Sequence, residues 1–212
     1  MMKLYFSPLA CSLASRITLY EIGAEATFSQ VDSKTKLNDN DEDFRRVNGL
    51  GLVPALVTET GHVVTENAAV LQYLAREYPN AKLSPKDSLG TSRLQQWLCF
   101  IGTELHKSIF APLLDSTASP DVKAYALRNV DTRFGWLDAQ LQNRSTLLDH
   151  FSIADAYLFA VLNWAAVTPI DLKRWPAIRG YHDGLRTRPS IARAFAEELE
   201  LYRRELLAAE AS

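Results

Sequence analysis

The chain lacks the features that would assign it to several large classes of protein. Only two of its 212 residues are cysteines, Cys11 and Cys99, and they lie far apart. Such a pair cannot form a disulfide framework or a four-ligand zinc site, and it favours a reducing cytoplasm as the compartment. The four histidines show no ligand-like spacing either, so we predict no metal site.

The chain has no excess of one charge and no long apolar run. It carries 23 Lys and Arg residues against 25 Asp and Glu residues, a net charge of −2. A nucleic-acid partner normally requires a marked basic excess, so we expect none. No uncharged run approaches the roughly 20 residues that span a bilayer, and the first residues lack the apolar stretch of a secretory signal. We therefore expect a protein that is neither exported nor inserted in a membrane.

Residues 1–80 alternate between strand and helix patterns. Strands are predicted at 3–6, 27–31, 53–57 and 62–65, and helices at 12–22, 44–47 and 66–78. A helix joining the first two strands implies that they are parallel, whereas Thr60-Gly61 predicts a hairpin between the last two. This order predicts a small α/β domain.

The remainder of the chain shows helical periodicity only. Residues 81–91 are polar and predict a linker, and helices are predicted at 92–114, 121–141, 153–167, 177–185 and 190–209. Ser152 precedes Asp155 by three residues, the spacing of a capping box, which we interpret as a folding signal. Residues 92–212 are therefore predicted to form an all-helical domain.

Cys11 is the first candidate for chemistry because it follows a strand and a turn and precedes a helix. The positive end of a helix favours a thiolate, and Ser12 beside it can donate a hydrogen bond. The alternative is a small buried apolar residue. The segment Cys11-Ser12-Leu13-Ala14 has no second thiol, which argues against dithiol oxidoreductase chemistry.

Two further segments could bind a ligand. Pro54 cannot donate to a central strand, so a bend at Val53-Pro54 would expose the Val53 backbone to an extended peptide; a plain proline at a strand start is the alternative. Glu66 and Asn67 open a helix, where free amides could bind an anion and the Glu66 carboxylate an ammonium group. A simple helix cap is the alternative there.

Several segments together resemble the bacterial glutathione S-transferases of the cysteine-containing beta class. The resemblance covers essentially the whole chain and rests on residues 2–12 (MKLYFSPLACS), 48–56 (NGLGLVPAL), 66–74 (ENAAVLQYL), 104–107 (ELHK) and 151–156 (FSIADA).

The resemblance implies a thioredoxin-like first domain that binds glutathione. Pro54 should then be cis, and the Val53 backbone should pair with the cysteinyl part of the tripeptide. The γ-glutamyl end is expected at Glu66 and Asn67. Cys11 should lie against the sulfur, with Ser12 as a further donor. Lys36 should meet the glycine carboxylate.

The resemblance also implies roles for the helical domain. His106 and Lys107 should reach glutathione from across the domain cleft, although a lone histidine is often only a structural, hydrogen-bonded residue. A small hydrophobic electrophile is expected between the domains, with Phe110 and Trp164 as walls. The chain departs from the usual family pattern at Asn67, where Ser is typical.

Two other departures are Gly49 in place of Pro and Cys99 in place of Asn, the latter near the expected dimer contact.

The implied function is a cytoplasmic, homodimeric detoxification enzyme that conjugates glutathione to electrophiles and uses no cofactor besides this co-substrate. A variant is monothiol redox activity, in which Cys11 forms a mixed disulfide with glutathione. The alternative from another class is a non-enzymatic interaction module that has kept the fold.

Overall fold

The computed structural model describes the backbone of residues 1–210 and divides the chain into two compact units. The first unit combines Met1–Lys82 with Pro189–Ser212, and the second is Leu83–Arg188. Residues 211 and 212, the end of the predicted helical domain, lie outside the described residues.

The first unit contains the predicted four-stranded sheet. Its strands are β1 (Met2–Phe6), β2 (Ala26–Gln30), β3 (Ala55–Val57) and β4 (Val63–Thr65), in the spatial order β2-β1-β3-β4. β1 and β2 are parallel, and the β1–β3 and β3–β4 pairs are antiparallel. The predicted strand directions and hairpin are confirmed, as is the thioredoxin-like α/β class.

Two helices of the first unit follow strands of this sheet. Helix α1 (Leu13–Ile22) connects β1 to β2 and ends at Gly23, whose φ of 64° is the left-handed conformation that glycine adopts without strain. Helix α2 (Asn67–Glu77) follows β4. A single 3₁₀ turn, Phe44–Arg46, stands where a short helix was predicted. The core includes buried side chains from these elements: Leu4, Phe6, Leu19, Leu56, Val70 and Leu74.

The described residues of the second unit form helices and turns without a strand. Helix α3 (Ser88–Phe100) continues through a π-helical segment (Ile101–Phe110) into α4 (Ala111–Leu114). Helices α5 (Pro120–Leu141), α6 (Ile153–Leu162) and α7 (Pro176–Arg186) follow. The predicted all-helical character is confirmed, but the predicted helix 153–167 ends at Leu162 and is followed by the 3₁₀ turn Asn163–Val167.

The predicted linker 81–91 is partly helical. The Asp87 carboxylate accepts a hydrogen bond of 2.8 Å from the Gly90 amide, and this cap starts α3 four residues before the predicted position.

The last helix, α8 (Pro189–Glu210), belongs to the first unit. The prediction placed it in the helical domain because its sequence follows four other helices directly. Leu201 of α8 packs against the core cluster of the first unit, and Ile191 and Ala194 are fully buried. The apolar stripe of α8 therefore covers α1, which the sequence order alone did not indicate. No described helix is long and apolar enough to cross a membrane.

Candidate functional site

Cys11 lies in the turn between β1 and α1, as predicted. The side chain is 9% exposed, and its Sγ lies 3.5 Å from the carbonyl oxygen of Val53. A thiol at this distance donates only a weak hydrogen bond to the carbonyl, and its proton can rotate to a better acceptor. The structure therefore places the Cys11 sulfur against the segment that precedes Pro54. The sequence had indicated Cys11 and this segment as two separate candidates.

Ser12 has a different role from the one predicted. Its side chain is fully buried, and its hydroxyl donates to the Ser7 carbonyl at 3.2 Å and accepts from the Ser7 amide at 3.3 Å. The Ser12 hydroxyl proton, which was predicted to hydrogen-bond a ligand sulfur, thus bonds within the turn instead. Ser12 holds the turn that carries Cys11, and this geometry does not support direct donation to a ligand.

The Val53–Pro54 peptide bond is cis, as the resemblance implied. Val53 is half-buried and precedes β3, so its backbone lies outside the ladder of the sheet. Among the residues that the structure describes, none accepts a hydrogen bond from the Val53 amide. The segment therefore offers a backbone donor to an extended ligand.

The start of α2 presents a second polar group. Asn67 is 6% exposed, its Oδ1 accepts a hydrogen bond of 3.0 Å from the Ser15 hydroxyl, and its Nδ2 has no partner within the described chain. A buried amide donor without a partner carries a desolvation cost, which a bound acceptor would remove. Glu66 just before it is exposed and has a φ of 65°, a conformation that is strained for a residue other than glycine.

Lys36 lies in the loop between β2 and β3. Its own φ is 63°, and its backbone is held by hydrogen bonds to Asp32 and Phe44. Its ammonium group makes no ion pair with the side chains described, those of residues 1–207. The loop thus fixes the backbone and leaves the charge available.

A buried ion pair behind the Cys11 turn was missed by the sequence analysis. Arg16 of α1 is 4% exposed, and its Nε lies 2.9 Å from the Oε1 of Glu198 on α8, which is fully buried. The other carboxylate oxygen of Glu198 accepts a hydrogen bond of 2.8 Å from the Leu9 amide. Leu9 has a φ of 58°, so the turn that leads to Cys11 is held in a conformation that a leucine rarely adopts.

Glu197 provides a second carboxylate for Arg16, at 3.0 Å from Nη1. The guanidinium also lies 4.2 Å from the ring centres of both Phe6 and Phe28. Burial raises the pKa of Glu198, whereas the charge of Arg16 and the hydrogen bond from the Leu9 amide oppose this shift and favour the carboxylate. One signal was present in the sequence, because Glu198 interrupts the apolar stripe formed by Ile191, Ala194 and Leu201.

His106 lies in the π-helical segment of the second unit. Its Nδ1 is 2.9 Å from the hydroxyl of Tyr157, and its ring packs edge-on against Trp164 with the centroids 4.8 Å apart. Burial, with a smaller contribution from the charge of Lys107, lowers the pKa of His106 to about 4. His106 is therefore a neutral imidazole near pH 7, and Lys107 beside it is exposed.

The two predicted pocket walls differ in exposure. Phe110 is fully buried, between Phe134 and Trp164 at centroid distances of 6.1 and 5.7 Å. Trp164 is 8% exposed. Phe110 thus belongs to the core of the second unit and supports Trp164 from behind, so of the two only Trp164 has surface to offer a ligand.

No group of His, Cys, Asp and Glu side chains within residues 1–207 could hold a metal ion. Cys99 is exposed on α3. The Cys11 turn, the cis proline and the start of α2 belong to one thioredoxin-like unit, and this unit with the helical second unit defines the fold class of the protein.

Comparisons with known proteins agree with this class. Residues 10–77 match the glutathione S-transferase N-terminal domain, and residues 111–184 match the C-terminal domain. The chain is 36% identical over 199 residues to the glutathione S-transferase GstA of Escherichia coli O157:H7, with 93% of this chain and 98% of the relative covered.

Solved structures show the same relationship. The beta-class glutathione S-transferase of Sphingomonas chungbukensis has a TM-score of 0.88 and 39% identity, covering 92% of this chain and 98% of that one. A sphingomonad glutathione S-transferase complexed with glutathione has the same TM-score, identity and coverage. The chain belongs to the glutathione S-transferase family, and the resemblance to its bacterial beta class is confirmed.

Proposed function

We propose that the protein binds glutathione on its first unit and transfers the glutathione sulfur to small hydrophobic electrophiles. The observation that carries this proposal is the position of the Cys11 Sγ, 3.5 Å from the carbonyl of Val53 beside the cis proline. The same backbone segment has an unused amide donor, which suits the cysteinyl part of an extended tripeptide. Glutathione bound there would bring its own sulfur close to Cys11.

The ends of the tripeptide are assigned by charge. The γ-glutamyl group carries both a carboxylate and an ammonium group, and the start of α2 offers the partnerless Asn67 Nδ2 to the former and Glu66 to the latter. The glycine carboxylate is assigned to the unpaired ammonium of Lys36. Because glutathione is anionic and the whole chain has a net charge of −2, binding relies on these local groups.

The chemistry requires a thiolate. The glutathione thiol loses its proton to water, the sulfur forms a bond to the electrophilic carbon, and the leaving group departs with the electron pair of its bond. Hydrogen-bond donors at the sulfur stabilise the anion. We assign this role to Cys11, and the family resemblance also assigns it to His106, with Lys107 adding positive charge and Trp164 contacting the electrophile.

The experiment compares Cys11→Ala and Cys11→Ser with a control, Cys99→Ala, in glutathione conjugation to an activated aryl chloride. We expect Cys11→Ala to lower kcat/KM for glutathione by about 10-fold and Cys11→Ser, which keeps a donor, to retain more activity. The control should match the wild type. Equal rates in all four proteins would remove Cys11 from the mechanism.

Lys34, in the same loop, provides a matched control for Lys36. Lys36→Ala should raise the KM for glutathione by about 10-fold, because a carboxylate loses its ion pair. Lys34→Ala, two residues earlier and exposed, should leave KM unchanged. If both variants bind glutathione as the wild type does, the glycine carboxylate lies elsewhere.

A redox activity of Cys11 is a second candidate, favoured by the absence of a second thiol in its turn. The Cys11 thiolate would attack a mixed disulfide between glutathione and a substrate, forming Cys11–S–S–glutathione and releasing the substrate thiol. A second glutathione would then release Cys11 as a thiol and leave as oxidised glutathione. If Cys11→Ala abolishes this reduction and spares conjugation, Cys11 is a redox residue.

The rival function is a non-enzymatic interaction module. Retention on immobilised glutathione and elution by free glutathione would argue against it, and failure to bind would favour it. We also propose a cytoplasmic homodimer, from the resemblance and from the two free cysteines. Light scattering after gel filtration tests the dimer, and a monomer at micromolar concentration would contradict it.

A further inference from the structure

The first turn of α2 gathers hydrogen-bond donors that the helix does not use. Its first backbone bond runs from the Ala69 amide to the Glu66 carbonyl, so the amides of Asn67 and Ala68 stand ahead of it. The Nδ2 of Asn67 adds a third donor, which has no partner in the described chain and belongs to a side chain that is only 6% exposed. Free amides at a helix start favour an anion. The three donors together indicate a carboxylate site.

Ser15 contacts this site from the neighbouring helix. It lies fully buried in the first turn of α1, and its hydroxyl is 3.0 Å from the Oδ1 of Asn67. A hydroxyl in a helix can instead bond to the carbonyl four residues earlier, as Thr18 of the same helix bonds to Ala14. The Ser15 hydroxyl therefore links the two helices at the residue that carries the unused Nδ2.

The Asn67 amide could meet the hydroxyl in two orientations, which differ in the number of buried groups left without a partner. If the hydroxyl donates to Oδ1, only Nδ2 is left over. If the amide is reversed, Nδ2 donates to the hydroxyl, and both Oδ1 and the hydroxyl proton of Ser15 are left over, since no other acceptor for that proton lies among the described residues. Each such group is costly when buried, so the first orientation is the more stable.

We propose that Ser15 is a positioning residue whose hydroxyl holds the Asn67 amide with Nδ2 toward the α-carboxylate of the γ-glutamyl group. The inference rests on the proposed function, which assigns that group to the start of α2. It deepens the function by giving the site a direction. An amide held in this way presents donors only, so it accepts a carboxylate and leaves the ammonium group to Glu66.

The first test measures dissociation constants by calorimetry for glutathione and two analogues. The analogue γ-aminobutyryl-cysteinyl-glycine lacks the α-carboxylate, and glutaryl-cysteinyl-glycine lacks the ammonium group. Ser15→Ala should weaken the binding of glutathione and of the glutaryl analogue by about 5-fold, because the Asn67 amide is then free to turn. Binding of the γ-aminobutyryl analogue should stay near the wild-type value, because it has no carboxylate for the amide to bind.

Thr18→Val is the matched control, because it removes a buried hydroxyl of α1 whose bond lies within that helix. It should bind all three ligands as the wild type does. Equal weakening of the three ligands in Ser15→Ala would show a general disturbance of α1 and overturn the proposal. Weakening confined to the two ligands with an ammonium group would show the reversed amide, and unchanged binding would remove Ser15 from the site.

Asn67→Asp tests the orientation without changing Ser15. This variant keeps an acceptor for the hydroxyl and replaces the Nδ2 donor by a charged oxygen. Like charges should weaken the binding of glutathione and of the glutaryl analogue by about 100-fold, and spare the γ-aminobutyryl analogue. Wild-type affinity for glutathione in Asn67→Asp would show that Nδ2 does not face the carboxylate. This result decides the proposal even if Ser15→Ala does not fold.

Carbon NMR of the full chain without ligand separates this inference from the proposed function. A hydrogen bond to a carbonyl oxygen displaces the resonance of the carbonyl carbon. The side-chain carbonyl of Asn67, identified by its absence in Asn67→Ala, should therefore shift in Ser15→Ala and stay in place in Thr18→Val. No shift in Ser15→Ala would overturn the proposal. A shift in a protein that binds none of the three ligands would leave the amide orientation intact and contradict the proposed function.

Discussion

Among the side chains that the structure describes, each unit buries one carboxylate completely, and the two are held in different ways. Glu198 in the first unit lies against the Arg16 guanidinium and accepts from the Leu9 amide, groups near the opposite end of the chain. Asp155 in the second unit accepts three hydrogen bonds from groups nearby in the sequence, the amides of Leu147 and Ser152 and the Ser152 hydroxyl, and a fourth from the Tyr181 hydroxyl on α7. The first arrangement depends on a cation from a distant part of the chain, whereas the second depends on neutral donors, most of them nearby in the sequence.

The comparison extends to the candidate site. The Cys11 turn is held by a carboxylate from α8, while His106 is held by Tyr157 within its own unit. In both units burial opposes the charged form of a titratable group: it raises the pKa of Glu198, where Arg16 and the Leu9 amide favour the carboxylate, and it lowers the pKa of His106 to about 4. The geometry of the Cys11 turn therefore depends on residues farther away in the chain than the geometry of His106 does.

The largest effect is expected from Arg16→Met. Removing the guanidinium leaves the fully buried Glu198 without its cation, which typically costs about 3–5 kcal/mol. Unfolding in urea at one fixed protein concentration, followed by circular dichroism, measures the loss. Arg193→Met, which breaks an exposed ion pair with Glu197, should cost less than about 1 kcal/mol. Similar losses in the two variants would show that the burial of the Arg16 pair is not decisive.

Asp155→Ala should be the next most destabilising change. It leaves the Leu147 amide, the Ser152 amide and the Tyr181 hydroxyl without their acceptor, for a cost of roughly 3 kcal/mol. The same urea titration applies. Asp131→Ala, which removes an exposed partner of Arg174, should change stability by at most about 0.5 kcal/mol. A loss below that of Asp131→Ala would contradict the assigned importance of the buried network.

The pH dependence of stability should show the effect of the lowered pKa of His106. Its pKa in the folded protein is below the ordinary value, so its contribution is fully present above pH 6.5 and is lost as the pH falls toward 4. The contribution is about 3 kcal/mol, because the pKa falls from 6.5 to about 4. His106→Gln should flatten the profile between pH 6.5 and 4, whereas His62→Gln, at an exposed position, should not. A His106→Gln profile as steep as that of the wild type would contradict this reading.

The smallest expected effect is on the reactivity of Cys11, although Glu198→Ala also breaks the buried ion pair with Arg16. Glu198→Ala removes the acceptor of the Leu9 amide, so the turn should open more often and Cys11 should react with iodoacetamide about 10-fold faster. Mass spectrometry follows both cysteines, and the exposed Cys99 serves as the internal reference. Glu197→Ala, which keeps the Leu9 contact, should leave the Cys11 rate near that of the wild type. Equal acceleration in both variants would point to a general loosening of α8.

The fold could be predicted largely from the sequence because its signals are local. Strand order and direction in β1 to β4 follow from a crossover helix and a hairpin, and the Ser152–Asp155 cap follows from a three-residue spacing. The membership of α8 could not be predicted in this way. Its apolar stripe indicates that it is covered, but periodicity does not say which partner covers it.

For the candidate site, the sequence by itself determined which residues carry reactive or charged groups, and the family resemblance grouped Cys11, Pro54 and Asn67. Only the tertiary structure decided how their protons are used. In that structure the Ser12 hydroxyl donates to the Ser7 carbonyl, Phe110 lies wholly in the core, and Glu198 accepts a hydrogen bond from the Leu9 amide. Hydrogen bonds and burial depend on distances between residues remote in the chain, and such distances are set by packing, which no local pattern of residues specifies.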